Sequence, residues 1–323
     1  MIVLIGLVTA LGMLRGPVAG SDLVMSFDPA AGEFPEGIAV DHDGVMYVSL
    51  AVTGEIRRFG PDGGASTFHA FDPGTAGLGI LGLAADKRGT IYAAVPSNAP
   101  DAHGVWAISS DGVAARLPGS ESIIFPNGIT RDRRGTLYVT DSIGAAIWRI
   151  PAGGTAERWL QHPSLAGTGT LNGPSAPIGA NGIAYDRSRL LVANTELKQV
   201  VEVPIEPTGD PGTPRVLHTF SGELAFLDGL AVDVAGNAYV LVAGLNQLVQ
   251  LDRAGAATVL ATNAEDDLNV PTSLAFGTRG QAMRTLYLTN FSLPPLVDLA
   301  GSGPPTPGVV AIEVPLPGPP LTP

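Results

Sequence analysis

Short apolar runs recur along this chain, and glycine-containing turns separate them. Six segments align: "EGIAVDHDGVMYVSL" from Glu36, "LGLAADKRGTIYAAV" from Leu81, "NGITRDRRGTLYVTD" from Asn127, "NGIAYDRSRLLVAN" from Asn181, "DGLAVDVAGNAYVLV" from Asp228 and "TSLAFGTRG…TLYLTN" from Thr272. Each reads as a small-and-apolar strand, a tight turn, and a second strand rich in Tyr, Val and Leu. A third strand follows ("GEIRRF", "GVWAIS", "AAIWRI", "QVVEVPI", "QLVQLD", "GVVAIEV"), and another turn leads to a fourth ("ASTFHAF", "VAARLPG", "AERWLQ", "RVLHTF", "ATVLAT"). Helical periodicity is nowhere sustained. Four strands joined by tight turns make an antiparallel blade. A repeat of roughly 44 to 54 residues is the period of a propeller.

The pattern predicts an all-β fold, a single six-bladed β-propeller over residues 21–315. The sixth unit runs out after its third strand, because the Pro-rich tail 316–323 pairs poorly in a sheet. The missing strand is expected in "DLVMSF", Asp22 to Phe27, from the other end of the chain. Joining the two termini in one blade closes the ring and hides its edges.

Composition agrees with that reading. Gly (42) and Pro (28) make up about a fifth of the 323 residues, which suits many short strands with tight turns. The net charge of −12 leaves no basic stripe to track phosphates, so nucleic acid is not an expected partner, whereas cations are attracted. The absence of cysteine excludes disulfides, thiolate metal sites and a cysteine nucleophile. The apolar run Ile2 to Leu14 is too short to span a bilayer. With small residues at Val18 and Gly20 it has signal-peptide form, although a basic segment before it is missing. Residues 1–20 are therefore expected to be a signal peptide, with the mature protein secreted or periplasmic, free of a membrane span and acting on a small molecule; the alternative is a disordered or packed N-terminal segment on a cytoplasmic protein.

Asn127 poses the chemical question. Asn-Gly ordinarily marks a hairpin, but the hairpin of this unit is "DRRG" further on. In a propeller the first strand of each blade lines the central channel, so the residue before its glycine stands at the channel mouth. Glycine there lets six backbones crowd together. Across the units this position holds Glu36, Leu81, Asn127, Asn181, Asp228 and Thr272. Two carboxylates and two amides are hard oxygen ligands that suit Ca²⁺, with Mg²⁺ or Mn²⁺ as alternatives; the lack of His and Cys disfavours zinc. The bland alternative is that these residues cap inner strands through hydrogen bonds.

"FPEGIAVD", "FPNGI", "GANGIAYD" and "LDGLAVD" resemble the gluconolactonase, regucalcin and luciferin-regenerating-enzyme family of six-bladed propellers, with diisopropylfluorophosphatase and the paraoxonases similar. The resemblance covers nearly all of the chain after the signal-like segment. It implies a catalytic divalent metal, usually calcium, held by Glu36, Asn127, Asn181 and Asp228, with Asp228 also the base or nucleophile in hydrolysis of a lactone or related ester. Leu81 stands where paraoxonases place a histidine, so that histidine mechanism is not implied, and an apolar residue there suggests a substrate less polar than a sugar lactone. Phosphotriester hydrolysis on the same site, a non-catalytic secreted binding propeller with a structural calcium, and a lyase or synthase on the same scaffold are the alternatives.

The second strands end at Leu50, Val95, Asp141, Asn194, Val242 and Asn290. Asp141, Asn194 and Asn290, with Leu81 and Thr272, are candidate pocket residues, loop capping being the alternative for the first three. None of the five histidines takes a channel-mouth position; His103, in "SNAPDAHG", is the one placed to approach the site. "GLGILG", Gly77 to Gly82, matches a dinucleotide fingerprint but precedes a strand, so it is not read as one. No G-x-S-x-G occurs. The long insertion Leu165 to Ala180 before Asn181 is a candidate lid or pocket wall.

Overall fold

The computed structural model describes residues 20–74 and 78–322. The signal-like segment expected at 1–20 lies outside the described residues apart from Gly20. The described chain forms six four-stranded antiparallel sheets. Blade 1 contains Pro35–Val40, Met46–Leu50, Glu55–Phe59 and Ala65–Ala70; blade 2 contains Leu83–Ala85, Ile91–Val95, Gly104–Ile108 and Ala114–Arg116. The inner strands of blades 3, 4 and 5 are Pro126–Arg131, Ala180–Asp186 and Leu227–Val232. Blade 6 runs Pro271–Phe276, Thr285–Asn290 and Gly308–Glu313, and Ser21–Ser26 completes it as the outer strand, antiparallel to Gly308–Glu313. The expected closure by the N-terminal strand is thus present.

The core is distributed around the ring. Each blade-to-blade contact holds an apolar cluster, including the closing contact, where Phe27 and Val309 of blade 6 meet Ile38, Val48 and Leu50 of blade 1. Val-, Ile- and Leu-rich second strands supply much of this packing, because both faces of a middle strand are covered by neighbouring sheets. Among the described residues no helix is long and apolar enough to cross a membrane.

The inner strands surround a channel cavity of about 400 Å³. Its wall includes Ile38, Leu83, Ile129, Ile183, Leu230 and Leu274, an aliphatic collar with one residue from each blade. The Pro-rich tail forms no strand, but Pro319 to Thr322 line the same cavity at its far end. The Val234 N–H donates to the Pro317 carbonyl (3.0 Å), the Gly318 N–H to Met283 (3.0 Å) and the Lys87 N–H to Thr322 (3.1 Å). Arg131 Nη1 also reaches the Thr322 carbonyl at 3.1 Å. The tail therefore crosses the far mouth and ties blades 2, 3, 5 and 6 together.

Candidate metal centre

Five glycines draw the inner strands together at the near mouth. A Cβ on Gly128, Gly182 or Gly229 would lie 2.5, 2.5 or 2.6 Å from the carbonyl oxygen of Asn181, Asp228 or Thr272 on the next blade. Gly37 and Gly82 stand in the same relation to the carbonyls of Leu81 and Asn127. Real Cβ atoms do not approach so closely, so these positions require glycine. Blade 6 has Ser273 at the equivalent place and closes onto blade 1 differently: Thr272 Oγ1 and Thr289 Oγ1 donate to the Glu36 carbonyl at 3.1 and 2.7 Å.

The pairing of inner and second strands slips at this level. Register shifts lie between Pro35 and Ile38, Pro126 and Ile129, Ala180 and Ile183, Leu227 and Leu230, and Pro271 and Ser273. Each is a bulge spanning the site residue, and a bulge re-aims a side chain that regular pleating would place elsewhere. Hydroxyls on the second strand fill the gap. Thr140 Oγ1 accepts from the Gly128 N–H (2.8 Å) and donates to the Asn181 carbonyl (2.6 Å); Ser49 Oγ does the same for Gly37 and Leu81, at 2.7 Å each.

Three of the side chains interact, Asp228 with Glu36 and Asn181, and Asn127 stands on the inner strand next to that of Asn181. Glu36, Asn127 and Asn181 are buried, and Asp228 keeps a small opening to the channel. Asn127 donates its amide N–H to Ser142 Oγ (3.0 Å), which in turn donates to the Ala180 carbonyl (2.6 Å). Asn181 donates to Thr195 Oγ1 (3.1 Å) and also hydrogen-bonds the Asp228 carboxyl. Donation to a hydroxyl fixes the orientation of each amide, and the second N–H of Asn181 is the one that meets Asp228. Glu36 Oε2 is buried without a hydrogen-bond partner. Burial raises the Glu36 pKa to about 8. Burial first, and then the Glu36 charge, raise Asp228 well above the carboxylate range, against the opposing Asn181 hydrogen bond. Two acids sharing a poorly solvated mouth repel unless one is protonated or a cation lies between them.

The donor set is all oxygen, two carboxylates and two oriented amides, and this fits a hard divalent cation. Among the described residues no group of three or more His, Cys, Asp or Glu is placed to hold a metal ion, so this candidate set has two acids and draws its other oxygens from amides.

The remaining candidates occupy distinct places. Leu81 is 1% exposed and packs with Phe34, Ala51 and Phe291. Thr272 spends its hydroxyl on the ring closure. Asp141 accepts from the N–H groups of Ile124, Phe125 and Gly144 and from Trp148 Nε1. Asn194 binds the carbonyls of Ser164 and Ala166 and accepts from the Leu197 N–H. Asn290 accepts from the Asn269 N–H and donates to the Asp267 carbonyl. These last three close loops on the site face. The His103 ring nitrogens face the carbonyls of Ser97 (3.1 Å) and Ile123 (2.7 Å), so this side chain staples two loops. After the glycine-rich stretch, of which Gly77 lies outside the described residues, comes the strand Leu83–Ala85 and no helix.

Several contributors were missed in the sequence. Ser49, Thr140 and Thr289 all stand one residue before the second-strand end, a recurring hydroxyl that the alignment could have exposed. Glu196 gave no such signal. Its carboxylate accepts from the backbone of Thr168, Gly169 and Leu171 and so folds the insertion before Asn181. Burial raises its pKa, but those N–H donors outweigh burial and the net shift is downward.

A family model described as the SMP-30/gluconolactonase/LRE-like region matches residues 175–292, which include Asn181 and Asp228. A second, described as strictosidine synthase-like, N-terminal, matches residues 27–59 around Glu36. No curated protein sequence matches the chain. Solved structures with the same fold include a luciferin-regenerating enzyme (16% identical, 93% of this chain and 99% of that one, TM-score 0.68). Regucalcin from Agrobacterium tumefaciens, described as a calcium-binding protein, is 16% identical over 95% and 97% of the two chains, with a TM-score of 0.67. A gluconolactonase from Xanthomonas campestris is 16% identical over 94% and 99%, with a TM-score of 0.64. The family model bears out the resemblance carried by the sequence motifs over residues 175–292, and the solved structures share the six-bladed fold.

Proposed function

We propose that this propeller is a calcium-dependent hydrolase of lactones or related esters, with its centre at Glu36, Asn127, Asn181 and Asp228. The observation that carries the reading is the buried, unpartnered Glu36 Oε2 beside the Asp228 carboxyl. A fold retains two such acids at one point when a cation neutralises them. Likeness to a gluconolactonase and to a calcium-binding regucalcin supports the same conclusion.

A bound Ca²⁺ would supply Lewis-acid polarisation of the substrate carbonyl and charge stabilisation as the oxyanion develops. The protein's own groups do the rest. Asn127 and Asn181 hold their oxygens toward the centre because Ser142 and Thr195 fix their amides. Asp228, the one acid of the pair that is open to the channel, takes a proton from the attacking water or attacks directly. The Asn181 hydrogen bond orients its carboxyl and favours the ionised form needed for either role. Glu36, more deeply buried, carries the second negative charge.

The test is turnover on a panel of lactones and simple esters with EDTA, with calcium restored, and in Asp228→Asn. The expected result is activity lost with EDTA, recovered with calcium and absent in the variant. Calcium-independent turnover, or full turnover in Asp228→Asn, would overturn the assignment.

A further inference from the structure

Beneath the ligand ring, a substrate would have to pass the aliphatic collar and displace the tail that crosses the far mouth. The approach is therefore from the face where the inner strands begin. On that face, around blades 6, 1, 2 and 3, the walls are apolar. Phe34, Leu81 and Phe291 form a buried cluster, against which Leu78, Phe125, Leu293 and Leu296 pack with part of their surface still open. Phe34 and Phe291 meet edge to face, their ring centroids 6.3 Å apart. The sequence sets these residues beside the site: Phe34 and Phe125 stand two before Glu36 and Asn127, Leu81 takes the blade 2 ring position itself, and Phe291 follows the second strand of blade 6. Exposed apolar residues adjoin it in the sequence, Ile124 (61% exposed) before Phe125 and Leu299 (44% exposed) three after Leu296 on the helix Pro294–Ala300. The opposite rim differs, since there Glu196 gathers the backbone and hydroxyl of Thr168.

Resting on the hydrolase reading above, we propose that this sector binds the non-reacting half of the substrate, and that the substrate class is lactones or esters with an alkyl or aryl substituent. The chemistry separates this class from polyhydroxylated lactones. A hydroxyl laid against Phe125, Leu293 or Leu296 loses its water and finds no partner, which costs binding. A methylene buried there gains up to about fourfold in affinity. A wall with no polar partner for the hydroxyls of the substituent favours the apolar competitor by the product of these effects.

The experiment compares γ-lactones bearing alkyl chains from methyl to octyl with a sugar lactone, in calcium. In parallel, binding of the matched γ-lactams, which resist hydrolysis, is measured by calorimetry. The expected result is kcat/KM and lactam affinity that both climb with chain length, with the sugar lactone poorest. The ratio of octyl to methyl should fall at least about tenfold in Phe125→Ser and, through an exposed position that keeps the fold, in Ile124→Ser. Turnover that is flat with chain length, or best on the sugar lactone, would overturn the substrate class and leave the hydrolase standing. No turnover with chain-dependent lactam binding would do the reverse, and lactam binding that is absent or insensitive to chain length would overturn the inference outright.

Discussion

The channel has acids at both mouths, two at the near one and five at the far one, and the two ends treat them differently. Asp41, Asp86, Asp132 and Asp233, at the far end, recur as faithfully as the near-mouth residues. Each closes a turn: Asp132 Oδ1 accepts from the N–H groups of Arg134 (2.8 Å) and Thr136 (2.9 Å), and Asp86 Oδ1 from Arg88 (2.8 Å) and Thr90 (3.0 Å). Asp41 and Asp233 repeat the pattern, and Tyr47 and Tyr239 donate their hydroxyls to the second oxygens. Asp186 instead meets Arg189 at 2.9 Å. At the near mouth the neighbours of Glu36 and Asp228 supply one amide and no cation. Repetition alone thus marks turn caps and site residues alike. What separates them is whether the carboxylate's lone pairs are already satisfied.

Substitution at the two ends should break that comparison open. The largest effect is expected at the near mouth, where Asp228→Asn should lower kcat/KM by about 10²–10⁴-fold. The same variant should melt higher than wild type in EDTA, because the unfolded wild-type chain gains by ionising Asp228 and the variant has no such proton to release. Ser142→Ala frees the Asn127 amide to rotate and should weaken calcium binding by about 10–100-fold, read by calorimetry.

A pH series without metal sharpens the contrast further. Glu36, raised from 4.5 to about 8, and Asp228, also raised, hold protons in the native state that the unfolded chain releases. Stability in EDTA should therefore fall as pH rises through the Glu36 window from about 4.5 to about 8, with Asp228 adding to the fall, and saturating calcium should remove it. A melting temperature in EDTA that is flat across this window would contradict the unpaired state of the two acids. The smallest effect on function belongs to the far end. Asp132→Ala leaves two N–H groups without their acceptor and should cost about 1–3 kcal/mol of stability by denaturant titration. Its calcium affinity and kcat/KM should stay at wild-type values.

The repeat made the fold legible. Alternating apolar strands and glycine turns at a fixed period leave few other architectures, and the truncated sixth unit pointed to the N-terminal strand that completes it. The ring position of Glu36, Asn127, Asn181 and Asp228 was legible for the same reason, as was the need for glycine behind it. The bulges were not, because one extra residue in a pairing leaves no compositional mark. Nor was the fate of Asp141, Asn194 and Asn290, since a polar residue at a strand end reads the same whether it faces a ligand or a loop backbone. The tail was legible as a non-strand and illegible as a strap, because its partners Lys87, Arg131 and Val234 are far away in sequence.

The central claim is that the four near-mouth residues form one cation site. Calcium calorimetry on the metal-free protein, on Glu36→Gln and on Asp132→Ala tests it most directly. The account predicts one site per chain, lost in Glu36→Gln and intact in Asp132→Ala. Binding that survives Glu36→Gln, or that disappears with Asp132→Ala in a folded protein, would contradict it.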